Sequence, residues 1–230
     1  MNKLLNRNET KRSMSERVFD VILSRILRLE LKPYEQISEA LFSEDLGVSR
    51  TPVREAFLKL ASLGFLDIVP QRGTMVSPLR VHAYKKSQFM REAFELALVR
   101  RAVGLEDKTR LISALERELA LQEVYSKIGD EASFFESDEA FHEAIAQNSG
   151  LPDLWPEVQR VKLHMDRYRH AAYFEDQTQT ILDQHRKIAK AIELRKEDEA
   201  VEAMKKHLRR ANHLFDDVVR KFPNYFEKKP

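Results

Sequence analysis

Apolar residues recur at helical spacing along most of this chain, interrupted once by a stretch that alternates like strand. "SERVFDVILSRILRLEL" puts Val18, Ile22, Ile26 and Leu29 on one stripe with Phe19 and Val21 flanking, and predicts a helix that Pro33 stops. "ISEALFSEDLG" predicts a second helix. Ser38 is placed as N-cap, Ile37 and Phe42 as a staple across it, and Gly47 as the left-handed terminator. "VSRTPVREAFLKLASLGF" predicts a third, with Thr51 as N-cap, Pro52 at the first helical position and Gly64 at the close. Its apolar face is Val53, Ala56, Phe57 and Leu60. "FLDIVPQRGTMVSPL" then reads as two short strands around a Pro-Gln-Arg-Gly tip.

After about Arg80 no strand-like alternation persists. Apolar stripes predict six helices, over 82–103, 107–127, 131–148, 153–172, 178–194 and 197–221. Gly104, Gly129, Gly150 with Pro152, "EDQTQT" and "RKED" separate them. The fold class expected is therefore mainly α. Three helices and a β-hairpin wing, residues 1–78, form a winged helix-turn-helix, and residues 79–230 form an all-α six-helix bundle. The linker between them is short, near Ser77–Val81.

Composition narrows the chemistry. With no cysteine, disulfides and thiolate metal sites are excluded, so any metal must use His, Asp or Glu. Six Gly leave little room for the tight turns of an all-β fold. No apolar run is long enough to cross a bilayer, and "MNKLLNRNETKRSMSERV" lacks a signal peptide's apolar core, so a cytoplasmic location without a membrane partner is expected. Residues 1–78 hold 12 Lys and Arg against 10 Asp and Glu, and the whole chain carries a net charge of only +2. A nucleic-acid surface would have to come from clustering of basic groups, not from their abundance.

Such a cluster is available. Arg50, Thr51 and Arg54 lie at the N-terminal end of the third helix, off its apolar face. A helix N-terminus offers free amides and positive partial charge to phosphates, and arginines there can read guanine edges bidentately. The hairpin tip adds Gln71, Arg72 and Gly73. Each arginine alone reads equally as a solvated surface residue, and a winged helix can instead bind protein. As an ordered set they favour DNA. "LGVSRTPVREAFLKLASLGFLDIVPQRGTMVSPL" closely resembles the GntR family of bacterial transcription regulators, whose signature matches Gly47 to Ala56 position for position. The resemblance implies DNA contacts from Ser49, Arg50, Thr51 and Arg54, with Arg72 and Gly73 at the wing. There are two departures. Tyr34 replaces the usual glycine in the turn before Ser38, and Ala40 stands where some members carry a DNA-contacting arginine.

In the helical half, three apolar stripes carry titratable residues. Asp138 and His142 interrupt Phe134, Phe135, Phe141 and Ile145. His185 interrupts Ile181, Leu182, Ile188 and Ile192, and His207 interrupts Val201, Met204, Leu208 and Phe215. A buried Asp needs a partner. Two readings remain open on periodicity alone: hydrogen-bonded core residues, or a metal held by one Asp and three His, with Asp138 and His142 meeting at i, i+4. The half resembles an FCD domain of the FadR-type GntR regulators, in a shorter VanR-like branch. "SDEAFHEAI", "LDQHRKIAKAI" and "AMKKHLRRA" match the places of its metal ligands. That resemblance implies one divalent transition metal per chain on Asp138, His142, His185 and His207. Zinc and nickel come first, with manganese, iron and cobalt also suited to the set.

The same resemblance implies a regulator, not an enzyme. It would be a homodimer on a palindromic double-stranded DNA operator, acting as a repressor controlled by a small organic acid at the metal. "FMREAFELALVRRA" resembles the first FCD helix and makes Arg91 the candidate carboxylate clamp, with Asn148 a second effector contact. Pairing of Arg91 with Glu95 is the plainer alternative. His164, Tyr168, His170 and Tyr173 could line the cavity, while His82 and His213 read as surface or core residues. Two rival functions stand beside this one: a metal-dependent hydrolase, for which only Glu139 and Glu143 lie near enough in sequence to act as base, and a metal-free structural bundle fused to a DNA reader.

Overall fold

The computed structural model describes residues 12–69, 71–171 and 177–227. The chain divides into two compact units. One comprises residues 1–81 with 219–230, and the other residues 82–218.

In the first unit, α1 (Met14–Leu27) starts with a reciprocal capping box between Ser13 and Glu16 and buries Val18, Phe19, Ile22, Leu23 and Ile26. The stripe extrapolated to Leu29 does not continue as helix. The backbone turns left-handed at Leu29 (φ 59), and Leu31 is buried beyond it. α2 (Glu39–Leu46) is capped by the Ser38 hydroxyl, which accepts from Leu41 N–H. It ends on Gly47 at φ 63. α3 (Arg50–Ser62) begins at Arg50 with Ser49 in the N-cap place, two residues before the N-cap expected at Thr51. Pro52 is tolerated one turn in because first-turn N–H groups have no intrahelical acceptor to lose. Val53, Ala56, Phe57 and Leu60 are buried, as the face of α3 requires.

The wing is β2 (Leu66–Val69) against β3 (Gly73–Val76), antiparallel, with Leu66 opposite Val76 and Val69 opposite Gly73. A two-residue strand β1 (Gln36–Ile37) pairs on the other edge of β3, giving the order β1-β3-β2. So short a strand carries no period that a sequence could show. Pro70 at the tip lies outside the described residues.

Tyr34 occupies its glycine place by adopting φ 68. Its N–H donates to Val76 O (2.9 Å) and its hydroxyl to Phe226 O (2.9 Å). A side chain in the left-handed region costs about 1–2 kcal/mol, a cost these bonds offset. The C-terminal segment is drawn into this unit by a Leu79–Phe226 bridge and an Arg80–Glu227 pair. At Gly47 the N–H closes α2 on Glu44 O (3.2 Å), and a Cβ there would meet nothing within 4 Å. Gly47→Ala is expected to lower unfolding free energy by about 1–2 kcal/mol from backbone strain alone, read as a lower urea midpoint at unchanged slope.

The second unit holds α4 (Val81–Gly104) from His82 onward, α5 (Thr109–Ile128), α6 (Glu131–Asn148), α7 (Trp155–Ala171), α8 (Thr178–Glu193) and α9 (Glu197–Lys221) as far as Val218. These are the six expected helices. α5 ends on Gly129 at φ 70 and packs along α6 and α8. The core joins Leu98 and Ala102 of α4, Leu115 of α5, Phe141 of α6, Ile188 of α8 and Met204 of α9. No helix among the described residues is long and apolar enough to cross a membrane.

Candidate metal centre and DNA interface

Asp138 and His142 sit one turn apart on α6, His185 comes from α8 and His207 from α9. Their donor atoms all lie within 4.8 Å of one another. The four are almost fully buried, at 1%, 2%, 0% and 9% exposure. Nε2 of His207 stands 3.1 Å from Nε2 of His142 and 3.3 Å from Nε2 of His185, and an Asp138 carboxylate oxygen stands 3.5 Å from Nε2 of His185. Donors on one metal ion with bonds of about 2.0–2.1 Å stand about 3.0–3.4 Å apart, so the spacing fits a shared ion.

The groups behind the rings decide which nitrogen points inward. Gln122 donates from Nε2 to Ser137 O (3.1 Å), which turns its Oε1 toward Nδ1 of His185 (2.8 Å). His185 Nδ1 must then be the donor, and its Nε2 carries a lone pair. Gln184 Oε1 faces Nδ1 of His207 at 3.1 Å. A Glu95 carboxylate oxygen lies 2.5 Å from Nδ1 of His142, off the line of an ideal hydrogen bond. All three rings thus have an acceptor behind Nδ1 and aim Nε2 into one spot. Held this way, His185 and His207 turn their Nε2 lone pairs toward one another across 3.3 Å, a repulsion that a cation between them resolves. Phe141 stacks flat on His185, with centroids 4.1 Å apart and planes 8° apart, and fixes that ring's plane.

Burial pushes His185 down to about 3, against the pull of Asp138. It pushes His207 well below its ordinary value, helped by the two neighbouring imidazoles. Burial also opposes ionisation of Glu95, but Arg91 and His142 outweigh it and hold the carboxyl at about 2. All three shifts have one sign in stability. The unfolded chain protonates the two histidines below about 6.5, where the folded chain does not, so stability falls as pH drops through that value towards 3. The support from Glu95 goes at lower pH, between its ordinary 4.5 and about 2. The urea midpoint of the metal-free chain is expected to be lower at pH 5 than at pH 7.5. An unchanged midpoint would show that the rings are not held neutral.

Arg91 is buried and its Nε donates to Glu95 at 2.5 Å. It stands near enough to bear on His185 and His207 electrostatically. Asn148 spends its amide on Ala144 O of its own helix (2.8 Å). Tyr168 packs in a buried aromatic cluster with Tyr84 and Phe215, His164 is half-buried, and His82 is exposed. The side chains of His170 and His213, and all of Tyr173, lie outside the described residues. Glu139 pairs with Lys162 at 3.1 Å and Glu143 accepts from Gln147, so neither faces the cluster as a base would. Sequence reasoning missed the orienting roles of Glu95, Gln122 and Gln184. Gln122 interrupts the α5 stripe as a fully buried amide, which is the signal it left.

On the reading head, Ser49, Arg50, Thr51 and Arg54 are exposed on the side of α3 opposite its buried face. The Ser49 hydroxyl makes no cap bond. At the wing Arg72 and Gly73 are exposed, with Gly73 at φ 90. Arg50, Arg54 and Arg72 form no ion pair among the described residues.

The profile of bacterial regulatory proteins of the gntR family matches residues 14–76, and that of the FCD domain matches residues 88–210. The chain is 35% identical over 196 residues to an HTH-type transcriptional regulator in an unstable DNA locus of Streptomyces ambofaciens, covering 85% of this chain and 80% of that one. It is 28% identical over 216 residues to the HTH-type transcriptional repressor RspR of Escherichia coli K12, covering 94% of each. Among solved structures, E. coli McbR/YncC superposes with a TM-score of 0.74 at 20% identity, over 90% of this chain and 99% of that one. A putative GntR regulator from Rhodococcus sp. RHA1 gives 0.69 at 22%, over 89% and 99%. At such identities the structural likeness speaks for the fold alone.

Proposed function

Because the chain belongs to the GntR family of bacterial regulators, with an FCD domain behind its DNA reader, we propose that it is a homodimeric repressor whose grip on a palindromic operator is set by a small carboxylic acid bound at a divalent metal. That it is a DNA-binding transcriptional regulator and not an enzyme follows from the family. The FCD unit and the His/Asp cluster together can hold a metal.

The observation that carries the reading is the convergence of three Nε2 atoms on a buried carboxylate, each ring fixed from behind. Asp138, His142, His185 and His207 would hold the ion, and Glu95, Gln122 and Gln184 orient the rings. Three nitrogens and a carboxylate suit zinc, nickel, cobalt, manganese or iron alike. The ion would supply a Lewis-acid docking point for a carboxylate oxygen. Arg91 beside it balances the charge of the acid, which would compete with Glu95 for the guanidinium. Four side chains from α6, α8 and α9 meet at this point, so a ligand that alters their spacing shifts helices as bodies. It can change operator affinity only by binding the two states differently.

Fluorescence anisotropy of a labelled operator, with metal-loaded and chelated protein, tests the switch. A panel of mono- and dicarboxylic acids should contain one that weakens operator binding only when metal is present. Equal operator affinity with every acid, loaded or chelated, contradicts it.

A further inference from the structure

A cleft of about 380 Å³ opens between α8 and α9, lined by Gln184, Glu202, Lys205, Lys206, Arg209 and Arg210. Four cations face it and one carboxylate. Two of the cations are compensated: Arg209 is clamped by both oxygens of Glu92 on α4 (2.7 and 2.9 Å), and Lys205 stands 3.7 Å from Glu202. The other two are not. Arg210 is held through Nε and Nη2 by the neutral Oε1 of Gln177, and Lys206 makes no ion pair among the described residues. Lys206 and Arg210 stand four residues apart on one helix face, where like charges repel. Two uncompensated cations, one of them already held in place, form a preorganised site for a multiply charged anion.

Gln184 joins this cleft to the candidate metal centre. Its Oε1 is turned to Nδ1 of His207, the one hydrogen bond the side chain makes among the described residues. Its Nε2, on the other arm of the planar amide, remains for an acceptor in the cleft. We propose that the cleft binds a phosphate-class oxyanion, free or on a small molecule, through Lys206, Arg210 and the Gln184 amide, and that this occupancy tightens metal binding through His207. An anion accepting from Nε2 holds the amide in the one orientation that gives His207 its acceptor and aims the ring's Nε2 inward. Phosphate carries about −1.5 to −2 charges at neutral pH, matching the two uncompensated cations where a monocarboxylate would not. By linkage the metal tightens the anion equally. The coupling half rests on the metal reading above, and the anion half does not.

Equilibrium dialysis of radiolabelled inorganic phosphate against the metal-free full chain, at constant ionic strength, tests the anion half without a metal for phosphate to coordinate. One saturable site is expected, lost in Lys206→Glu/Arg210→Glu, whose folding is checked by its melting curve. No saturable binding, or equal binding by the variant, overturns the proposal. So does a variant that loses operator affinity in phosphate-free buffer, since the cleft would then be a DNA-backbone contact. Cobalt titration followed by visible absorbance tests the coupling: phosphate should raise cobalt affinity about fivefold in the parent and leave Gln184→Met unchanged. Equal effects in both overturn the coupling. Phosphate binding in a chain that takes no cobalt sinks the metal reading and leaves the cleft standing.

Discussion

His185→Leu abolishes the stabilisation that a divalent metal gives the parent chain. An ion at about 1,000 times its dissociation constant adds about 4 kcal/mol to the unfolding free energy of a protein that binds it only when folded. His185 is wholly buried, and its Nε2 is one of the three that converge. Loss of an orienting partner alone typically costs about 10–100-fold in metal affinity, and loss of a ligand costs more. The substitution also removes the stack on Phe141 and leaves Gln122 Oε1 without its donor, at about 1–3 kcal/mol for the orphaned acceptor. The readout is therefore the difference in melting temperature with and without metal, within each variant, which that cost does not enter. Glu95→Gln should lie between, keeping a weakened metal response, because it leaves all four ligands in place and removes the charge that stands behind His142 and pairs with Arg91. A His185→Leu protein that still gains several degrees on adding metal would show that the ion sits elsewhere.

Arg54→Ala lowers operator affinity by roughly 5- to 150-fold, the worth of about 1–3 kcal/mol for one bidentate contact to a guanine edge, and relaxes specificity at the base it reads. Stability should stay within about 0.5 kcal/mol, because Arg54 is exposed and forms no ion pair among the described residues. Leu60→Ala, one face round the same helix, gives the opposite pattern. Leu60 is fully buried, and emptying its place costs about 2–5 kcal/mol of stability. Arg72→Ala at the wing should weaken all DNA sequences alike and flatten the salt dependence of binding, as loss of a phosphate contact does. Competition assays with single-base operator variants and a salt series separate the two arginines.

The α3 face was legible because burial obeys the 3.6-residue period, and the same period marked Asp138, His142, His185 and His207 as polar intrusions on buried stripes. Their convergence needed coordinates, since three helices had to be placed in register before any Nε2 could meet another. The orienting groups were less legible still. Glu95 reads as the i+4 partner of Arg91, and nothing local says that its second oxygen turns to His142. Gln184 lies next to His185 in sequence, yet it serves His207 from another helix. Helix starts moved for a local reason. Ser49, Thr51 and Pro52 offer competing start signals, and the chain takes the earlier one because a proline in the first turn forfeits no intrahelical bond. The left-handed Tyr34 was visible only as a missing glycine. Its hydroxyl bond to a carbonyl 192 residues away is a tertiary contact that no window along the chain contains.

X-ray absorption at the metal edge of the cobalt- or zinc-loaded full chain reads the central claim most directly. The account predicts a first shell of three imidazole nitrogens with carboxylate oxygen, reduced to two imidazoles in His207→Ala. A shell with fewer than two imidazoles in the parent, or one unchanged by that substitution, would contradict it.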